Sequence, residues 1–406
     1  DWLESAQNGD GGFGPSRGDA SSAEITCWAM LGLEAAGRNP LDISRSGSTP
    51  VDFLRRRVGE LASPGDLART ILALQGAGVD PRNFGGQNLV SRLLSRRRDN
   101  GSYEGWPNST AYAVIALRAA GAGGTEKSLS WLRSVQNDDG GWGDTPGSPS
   151  NADGTGAVLQ ALSPDSKASG QGLSYLRGTQ HKGGGYALGG GGGVNTQSTA
   201  WAIQGILAAG GDPGSFRRGG FSAPEYLTNN QQPDGSYRYA KPSAEVPDEV
   251  AHQTPVWVTA EVMVAASNEY LPISVPPRAP KPSRAAAAPF GGITPKDVPA
   301  PESVPALPAP AEGGGGGSSL KDLKKLVPPD QATPAAPAGN SPAPGEGKKG
   351  AGGVASETST LIEEDSGSGS DSSAVGAILV GLAAGALLFG AAWAGRRGWM
   401  RWRYGL

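Results

Sequence analysis

The sequence predicts an all-α fold of six helical hairpins, followed by a disordered tether rich in proline, glycine and alanine, and then by one transmembrane helix. Three observations lead to this prediction. A loop motif recurs at fixed spacing, alanine-rich helical segments alternate with it, and one uncharged stretch of 21 residues lies near the C-terminus. The predicted segments are 1–270 for the repeats, 271–373 for the tether, 374–394 for the membrane helix and 395–406 for a basic tail.

The recurring loop has a Gln five residues after the aromatic of an aromatic-Leu pair, and a second aromatic six residues after that Gln. Glycine and Asp or Asn inside the loop permit a tight turn. We interpret the Gln as a partner for backbone groups at the end of its helix, and the loop as a staple between neighbouring units. The full copies run from Gln7 to Phe13, Gln136 to Trp142, Gln180 to Tyr186 and Gln231 to Tyr237, and a degenerate copy ends at Tyr103.

Each repeat also contains an alanine-rich amphipathic helix that ends in a small residue. The clearest copies are SSAEITCWAMLGLEAAG, NSTAYAVIALRAAG and QSTAWAIQGILAAG, and weaker copies end at Gly78, Ser163 and Ser267. Ser, Thr, Asp or Asn precedes each helix as a cap, and terminal glycine suits a left-handed C-cap. Alanine permits close approach between helices, so these six helices are predicted to form a crowded inner ring.

The loops QNGDGGFG and QNDDGGWG resemble the QW-type repeats of squalene-hopene cyclases and of the β subunits of protein prenyltransferases. The resemblance to this prenyltransferase/squalene-cyclase repeat family covers residues 1 to about 270. It implies an α/α toroid, in which six hairpins close into a double ring of helices around a central ligand cavity. The second unit, roughly residues 50–78, departs from the pattern because it lacks the Gln-aromatic loop.

Residues 374–394 are long enough and apolar enough to span a bilayer as a helix. Four arginines follow this segment and four carboxylates precede it, so the positive-inside rule predicts a cytoplasmic C-terminus and a large domain outside the cell membrane. A tail-anchored protein with a cytoplasmic domain is the alternative. Export requires a signal segment, and we expect one to have been removed before Asp1.

The tether of residues 271–373 lacks apolar periodicity and is therefore predicted to be disordered. A net charge of −3 with scattered basic residues argues against nucleic-acid binding. The single cysteine, Cys27, excludes an intramolecular disulfide and is interpreted as a small buried residue.

Known catalytic signatures of the resembled family are missing from the sequence. There is no DxDD motif for protonating a polyene, and no Asp-Cys-His set for a catalytic zinc site around Cys27. The loop pair Asp138-Asp139 is interpreted as part of a turn. No metal site and no cofactor are predicted.

The candidate ligand-binding residues are polar side chains near the starts of the inner helices and aromatic side chains one turn further on. The alternative is that the polar residues are helix caps and the aromatics are core. The candidates are Asp19, Trp28, Asp66, Asn108, Tyr112, Asp153, Asn195, Gln197, Trp201, His252 and Trp257.

We expect a membrane-anchored, extracytoplasmic toroid that binds a bulky, partly apolar small molecule, isoprenoid-like or corrinoid-like, or a wall component, without catalysis. A transporter or the cell wall would be its further partner. The alternative is a terpene cyclase or prenyltransferase with unrecognised acids, Asp153 or Asp19. A third hypothesis is a structural or adhesive surface protein whose ring centre is filled by side chains.

Overall fold

Six alanine-rich helices lie where the repeats predict them. The structure is a computed structural model that describes residues 1–189, 193–243 and 246–280. The inner helices are α2 (Ala23–Ala35), α4 (Pro64–Gly76), α6 (Pro107–Ala119), α8 (Ala152–Ala161), α10 (Thr196–Ala208) and α13 (Pro255–Ala266). The helices paired with them are α1 (Trp2–Ser5), α3 (Pro50–Arg57), α5 (Leu89–Leu94), α7 (Glu126–Ser134), α9 (Lys167–Thr179) and α11 (Ala223–Thr228), and a short α12 (Asp248–Ala251) precedes α13.

The inner helices form a closed ring. Each packs against the next inner helix in the chain, from α2 through α4, α6, α8 and α10 to α13, and α13 packs back against α2. Helix α1 contacts both α2 and α13, so the first and last hairpins meet at the seam. The predicted α/α toroid is confirmed by this closure.

Short hairpins and turns connect the helices. Strands β1 (Tyr186–Ala187) and β2 (Val194–Asn195) pair antiparallel, as do β3 (Arg217–Arg218) and β4 (Phe221–Ser222). Single turns of 3-10 helix lie at Pro40–Asp42, Val58–Glu60 and Pro81–Asn83.

Four of the six inner helices begin with the predicted capping chemistry, whereas α6 and α13 have no side-chain cap at their starts. Side chains of Ser22, Ser63, Asn151 and Asn195 accept hydrogen bonds from amides of the first turn of α2, α4, α8 and α10. Glycine takes the left-handed conformation just after four inner helices, because only a residue without Cβ adopts it without strain. These glycines are Gly37, Gly78, Gly121 and Gly210.

Each repeat loop is tied to its own inner helix by one recurring hydrogen bond. The backbone amide of the loop aromatic donates to the hydroxyl of a buried threonine on the helix that follows, over 2.9–3.0 Å. Because the loop is buried there, this bond satisfies an amide that water cannot reach. The pairs are Phe13 with Thr26, Tyr103 with Thr110, Trp142 with Thr155, Tyr186 with Thr199 and Tyr237 with Thr259.

The loop glutamines connect neighbouring units. The Nε2 atom of Gln136 donates to the carbonyl of Gly140 in its own loop (2.7 Å) and to the carbonyl of Ala168 in the next unit (2.9 Å). Gln7 and Gln180 make the corresponding pairs of bonds, and Gln231 donates within its own loop at 3.5 Å. The second unit lacks this loop, and there Arg92 of α5, in the third hairpin, donates to the carbonyls of Val58 and Leu61.

Glycines allow the inner helices to touch through their backbones. A Cβ added to Gly156 of α8 would lie 2.2 Å from the carbonyl oxygen of Trp201 in α10. One added to Gly32 of α2 would lie 2.6 Å from the carbonyl oxygen of Ala260 in α13. The helices can approach this closely at these two junctions only because glycine has no side chain.

The folded body continues past the boundary predicted at residue 270. Residues 271–279, which we call the strap, run along the C-terminal ends of the inner helices. The amide of Leu271 donates to Gln160 of α8 (2.9 Å), Asn39 donates to the carbonyl of Pro276 (3.1 Å), and Arg278 pairs with Asp42 (2.7 Å). Leu271 is buried, so the first part of the predicted tether belongs to the toroid.

None of the helices in the described residues is long and apolar enough to cross a membrane. The predicted membrane helix at 374–394, the basic tail at 395–406 and the rest of the predicted tether lie outside the described residues.

Candidate functional site

The inner helices run in the same direction around the ring. Glu24 and Arg69 meet near the starts of α2 and α4, and Glu34 packs on Gly76 near the ends of the same two helices. The residues just after α4 and α6 also meet, where Arg82 donates to the carbonyl of Ala120, and the ends of α6, α10 and α13 all lie near the end of α8. The six N-terminal ends therefore face one side of the ring, which we call the N-terminal face. The partial positive charge of each helix start is directed toward this face.

Three aromatic side chains meet at the ring centre. Trp28, Tyr112 and Trp201 are each the sixth residue of alternate inner helices, α2, α6 and α10. Their ring centroids lie 5.5–6.1 Å apart in edge-to-face contacts, and each side chain is at most 7% exposed. This aromatic trio fills the centre of the ring at the level of these residues. It therefore forms the floor of any site on the N-terminal side of the ring.

A buried ion network lies on the N-terminal side of the aromatic trio. Nη2 of Arg69 donates to Oδ1 of Asp66 (2.9 Å) and lies 3.3 Å from Oε1 of Glu24. The guanidinium also lies over the ring of Trp28, 5.9 Å from its centroid. Burial raises the pKa of Glu24 to about 7, against the opposing effect of the Arg69 charge. Glu24 therefore changes its protonation state near neutral pH.

Glu261 of α13 approaches the same region from the other side of the ring. Its Oε1 accepts a hydrogen bond from the indole of Trp257 (2.9 Å), and its Oε2 accepts one from the amide of Gln197 (2.7 Å). Burial, with only 2% of the residue exposed, raises the pKa of Glu261 to about 8. The negative charges of Asp153 and Glu24 act in the same direction.

Partly exposed residues form the rim above these buried groups. The side chain of Asp66 is 29% exposed, and Glu104, Asn108 and Gln197 are also partly exposed. Glu104 adopts a left-handed backbone conformation with φ of 57°, which is uncommon outside glycine, and its carboxylate accepts a hydrogen bond from Ser109 (3.0 Å). Burial raises the pKa of this carboxyl as well.

Seven of the eleven candidate residues belong to the aromatic trio or interact with the buried carboxyls. Asp66, Gln197 and Trp257 belong to the polar network, and the charge of the buried Asp153 acts on Glu261. The other three are the members of the aromatic trio. Asp66 also has a capping role, because its second oxygen accepts the amide of Ser63 at the start of α4.

The other four candidates have different surroundings. Asp19 is exposed on a loop, where it accepts the amide of Ser16 (3.0 Å). The side chain of His252 is 41% exposed, beside Asp248 of α12. Asn195 is the N-cap of α10, and Asn108 bonds the adjacent amide of Ser109 on the rim. Their polar atoms thus complete local turns and helix starts.

Sequence reasoning missed Glu24, Arg69, Glu261 and Glu104. The first three are each a charged residue inside an otherwise apolar stretch of an inner helix, in AEITCWAM, LARTILAL and VTAEVMVAA. Such residues are rarely buried unless they are paired. An isolated charge on a helix predicted to face inward was therefore the available signal.

Cys27 lies between α2 and α4, with its Sγ 3.5 Å from the hydroxyl of Thr70. Burial raises the pKa of this thiol to about 12, so it is not a thiolate at neutral pH. Within the described part of the chain, no three His, Cys, Asp or Glu side chains are placed to hold a metal ion.

No known protein-family profile matches the sequence, and no curated protein matches it. Among solved structures, the chain is similar to a type II terpene cyclase from Scytonema (14% identity, TM-score 0.47), with 66% of this chain and 94% of that chain covered. It is similar to a glycosidase (14%, 0.46; 66% and 93% covered) and to a protein from Actinoplanes (15%, 0.46; 66% and 96% covered). The assignment of the fold rests on the closed ring of helix contacts described above.

Proposed function

We propose that the toroid binds a partly apolar small molecule at the N-terminal face of its ring, with the aromatic trio as the floor and the buried carboxyls as polar contacts. The observation that carries this proposal is the cluster of buried ionisable groups at the ring centre. Glu24, Arg69 and Glu261 are each at most 7% exposed.

Burial of this cluster destabilises the folded protein. Removing a charged group from water costs several kcal/mol, and apolar residues of similar size commonly stabilise a protein better than a buried ion pair. The raised pKa values of Glu24 and Glu261 report this cost. Ionisable groups with perturbed pKa values gathered in one place are characteristic of functional sites.

The rim supplies a route from solvent to the buried groups. Asp66, Glu104 and Gln197 each combine partial exposure with an interaction that reaches a buried member of the cluster. A ligand that displaced water at this rim would contact polar groups first and the aromatic trio beneath them. This arrangement suits a molecule with a polar end and an apolar body.

For the cellular setting, we propose that the toroid lies outside the cell membrane, held by a helix at 374–394 with the C-terminus in the cytoplasm. The uncharged segment and the arginines after it support this proposal. Protease treatment of intact cells tests it. Digestion of the toroid with protection of a C-terminal epitope is expected, and protection of the toroid in intact cells would contradict the orientation.

Native mass spectrometry of the full-length protein, purified in mild detergent from its own cells, tests ligand binding. We expect a bound small molecule that is lost in the variant Glu261→Gln and retained in Glu126→Gln, which changes an exposed residue of α7. Retention of the molecule by Glu261→Gln would place it elsewhere on the protein. A ligand-free protein that also binds no member of an apolar and amphiphilic compound panel would contradict the proposal.

An enzymatic function is the second candidate, and one observation favours it. Glu24 and Glu261 hold protons near neutral pH beside an aromatic surface, and a protonated carboxyl with a pKa near the working pH is the kind of group that general acid catalysis uses. Incubation with squalene and with geranylgeranyl diphosphate distinguishes this candidate. Turnover that is abolished by Glu261→Gln or Glu24→Gln, but not by Glu126→Gln, would establish it and replace the non-catalytic proposal.

A further inference from the structure

We propose that the ligand carries a neutral hydroxyl group, which binds among Glu24, Trp28 and Arg69 while its apolar body lies on the aromatic trio. This inference rests on the proposed function and names the chemical class of the molecule. It follows from three buried polar atoms and from the kind of group that can satisfy all of them.

Three polar atoms at the ring centre lack hydrogen-bond partners within the described residues. They are Oε1 of Glu24, Nε1 of Trp28 and Nε of Arg69. Oε1 of Glu24 lies 3.3 Å from Nη2 of Arg69, and the same guanidinium lies over the ring of Trp28. Each of the three residues is at most 7% exposed. Because a buried polar atom without a partner is costly, three of them in one place indicate a group that completes them.

The polar groups around these atoms already have partners. Nη2 of Arg69 donates to Oδ1 of Asp66 over 2.9 Å, and the second oxygen of Asp66 accepts the amide of Ser63. Elsewhere in the cluster, the carboxyl of Glu261 accepts a hydrogen bond at each of its two oxygens. The three side chains therefore leave two donors and one acceptor for a molecule from outside the chain.

A hydroxyl group matches this set of atoms. Its oxygen has two lone pairs, which accept hydrogen bonds from Arg69 and Trp28, and its proton is donated to Glu24. An ammonium group would satisfy only Glu24, and it would meet the like charge of Arg69. A phosphate or carboxylate would satisfy only the two donors, and it would meet the like charge of Asp66 beside them.

The protonation of Glu24 does not remove this match. Because its pKa is about 7, both forms of the carboxyl are present at neutral pH, and each form has an acceptor oxygen. The helix starts directed toward this face also favour an oxygen atom that accepts hydrogen bonds.

The position of Trp28 determines where the apolar body lies. Its indole belongs to the aromatic trio and also supplies one of the two unpartnered donors. The hydroxyl group is therefore adjacent to the apolar surface that Trp28 forms with Tyr112 and Trp201. An alcohol with a hydrocarbon body has these two parts in the same order.

Four probes with one apolar body and different head groups test the inference: geraniol, geranyl methyl ether, geranylamine and geranyl diphosphate. Isothermal titration calorimetry on the full-length protein at pH 7 is expected to show geraniol binding at least about tenfold more tightly than each of the others. The ether lacks the proton that Glu24 would accept, and each charged probe leaves part of the set unsatisfied.

Variants assign this preference to the three atoms. Glu24→Leu removes the acceptor and should bring the alcohol and the ether within about threefold of each other, whereas Glu24→Gln keeps an acceptor oxygen and should preserve the preference. Trp28→Phe removes a donor but keeps the aromatic ring, and it should weaken both probes about fivefold. Glu126→Gln, which changes an exposed residue of α7, should alter neither affinity.

The outcomes separate this inference from the proposal beneath it. Equal affinities for the alcohol and the ether, or tightest binding of the amine or the diphosphate, would overturn the hydroxyl assignment and leave a ligand site in place. If none of the four probes bound while native mass spectrometry still found a small molecule, an internal water would complete the three atoms and this inference alone would fail. Without such a molecule, both would fail. Thermal unfolding of Glu24→Leu is measured alongside, and a transition at least as high as that of the parent protein shows that lost affinity is not lost folding.

Discussion

Replacing Glu261 by glutamine should stabilise the toroid, by an amount that increases with pH. The folded carboxyl has a pKa of about 8 against an ordinary value of 4.5. Between these two pH values the unfolded chain has released a proton that the folded protein retains. The free energy of unfolding of the wild type therefore falls as the pH rises. At pH 7 this burial costs about 3 kcal/mol, at 1.36 kcal/mol for each pH unit above 4.5.

Glutamine removes this cost but supplies only one acceptor for the two donors Trp257 and Gln197. One unsatisfied donor costs about 1 kcal/mol, so the expected net gain at pH 7 is about 2 kcal/mol. At pH 4 the gain should vanish or change sign, because both states of the wild type are then protonated.

Urea unfolding at pH 4, 5.5, 7 and 8, followed by circular dichroism, measures this dependence. The matched control is Glu126→Gln, an exposed position where the change should remain within about 0.5 kcal/mol at every pH. A stability difference for Glu261→Gln that did not vary with pH would show that the folded carboxyl is not protonated. The charge argument for the site would then need a different basis.

Three further changes test the packing of the ring, each by urea unfolding. Gly156→Ala should destabilise the protein by about 3 kcal/mol, because its Cβ would meet a backbone carbonyl. Its control is Gly170→Ala on α9, where the added Cβ meets nothing and should stabilise by up to about 1 kcal/mol. Equal effects of the two substitutions would contradict the close contact at Gly156. Thr155→Val should destabilise the protein by about 2 kcal/mol, because the loop amide of Trp142 loses its hydrogen-bond acceptor. Thr70→Val removes only the contact with the thiol of Cys27 and should destabilise distinctly less. Glu34→Leu should stabilise more at pH 8 than at pH 4, since burial holds the pKa of that carboxyl well above its usual range; an effect independent of pH would exclude this cause.

The ring could be predicted because its determinants are local. Gly37, Gly121 and Gly210 end helices through left-handed caps, and this chemistry depends on a few adjacent residues. Three of the six repeats then place an aromatic residue at the same level. Trp28, Tyr112 and Trp201 occupy equivalent helix positions, so their meeting followed from the repeat itself.

The charged part of the site could not be predicted, because its members come from units that differ from one another. Glu24 and Arg69 occupy non-equivalent positions of successive helices, and Glu261 has no counterpart in the other repeats. Their pairing depends on the register of one helix against the next, which arises only in the closed ring. Asp19, by contrast, was expected at the site from its place before α2, but its loop turns it to solvent.

The packing of the strap on the ring could not be predicted for a related reason. Leu271 is a single apolar residue at the start of a proline-rich stretch, and no periodic pattern marks it as buried. Its partner, Gln160, lies 111 residues earlier in the chain. Contacts over such separations leave no signature in the local sequence.

The strap also sets the order in which the protein can be completed on the ribosome. Asn39 and Gln160 receive their partners, Pro276 and Leu271, only after almost the whole described body has been synthesised. Until then α2 also lacks its neighbour α13, so the first repeat cannot complete its contacts before the last repeat has been synthesised. A protein truncated at residue 270 would therefore resemble an arrested intermediate of biosynthesis, whose last face never closes.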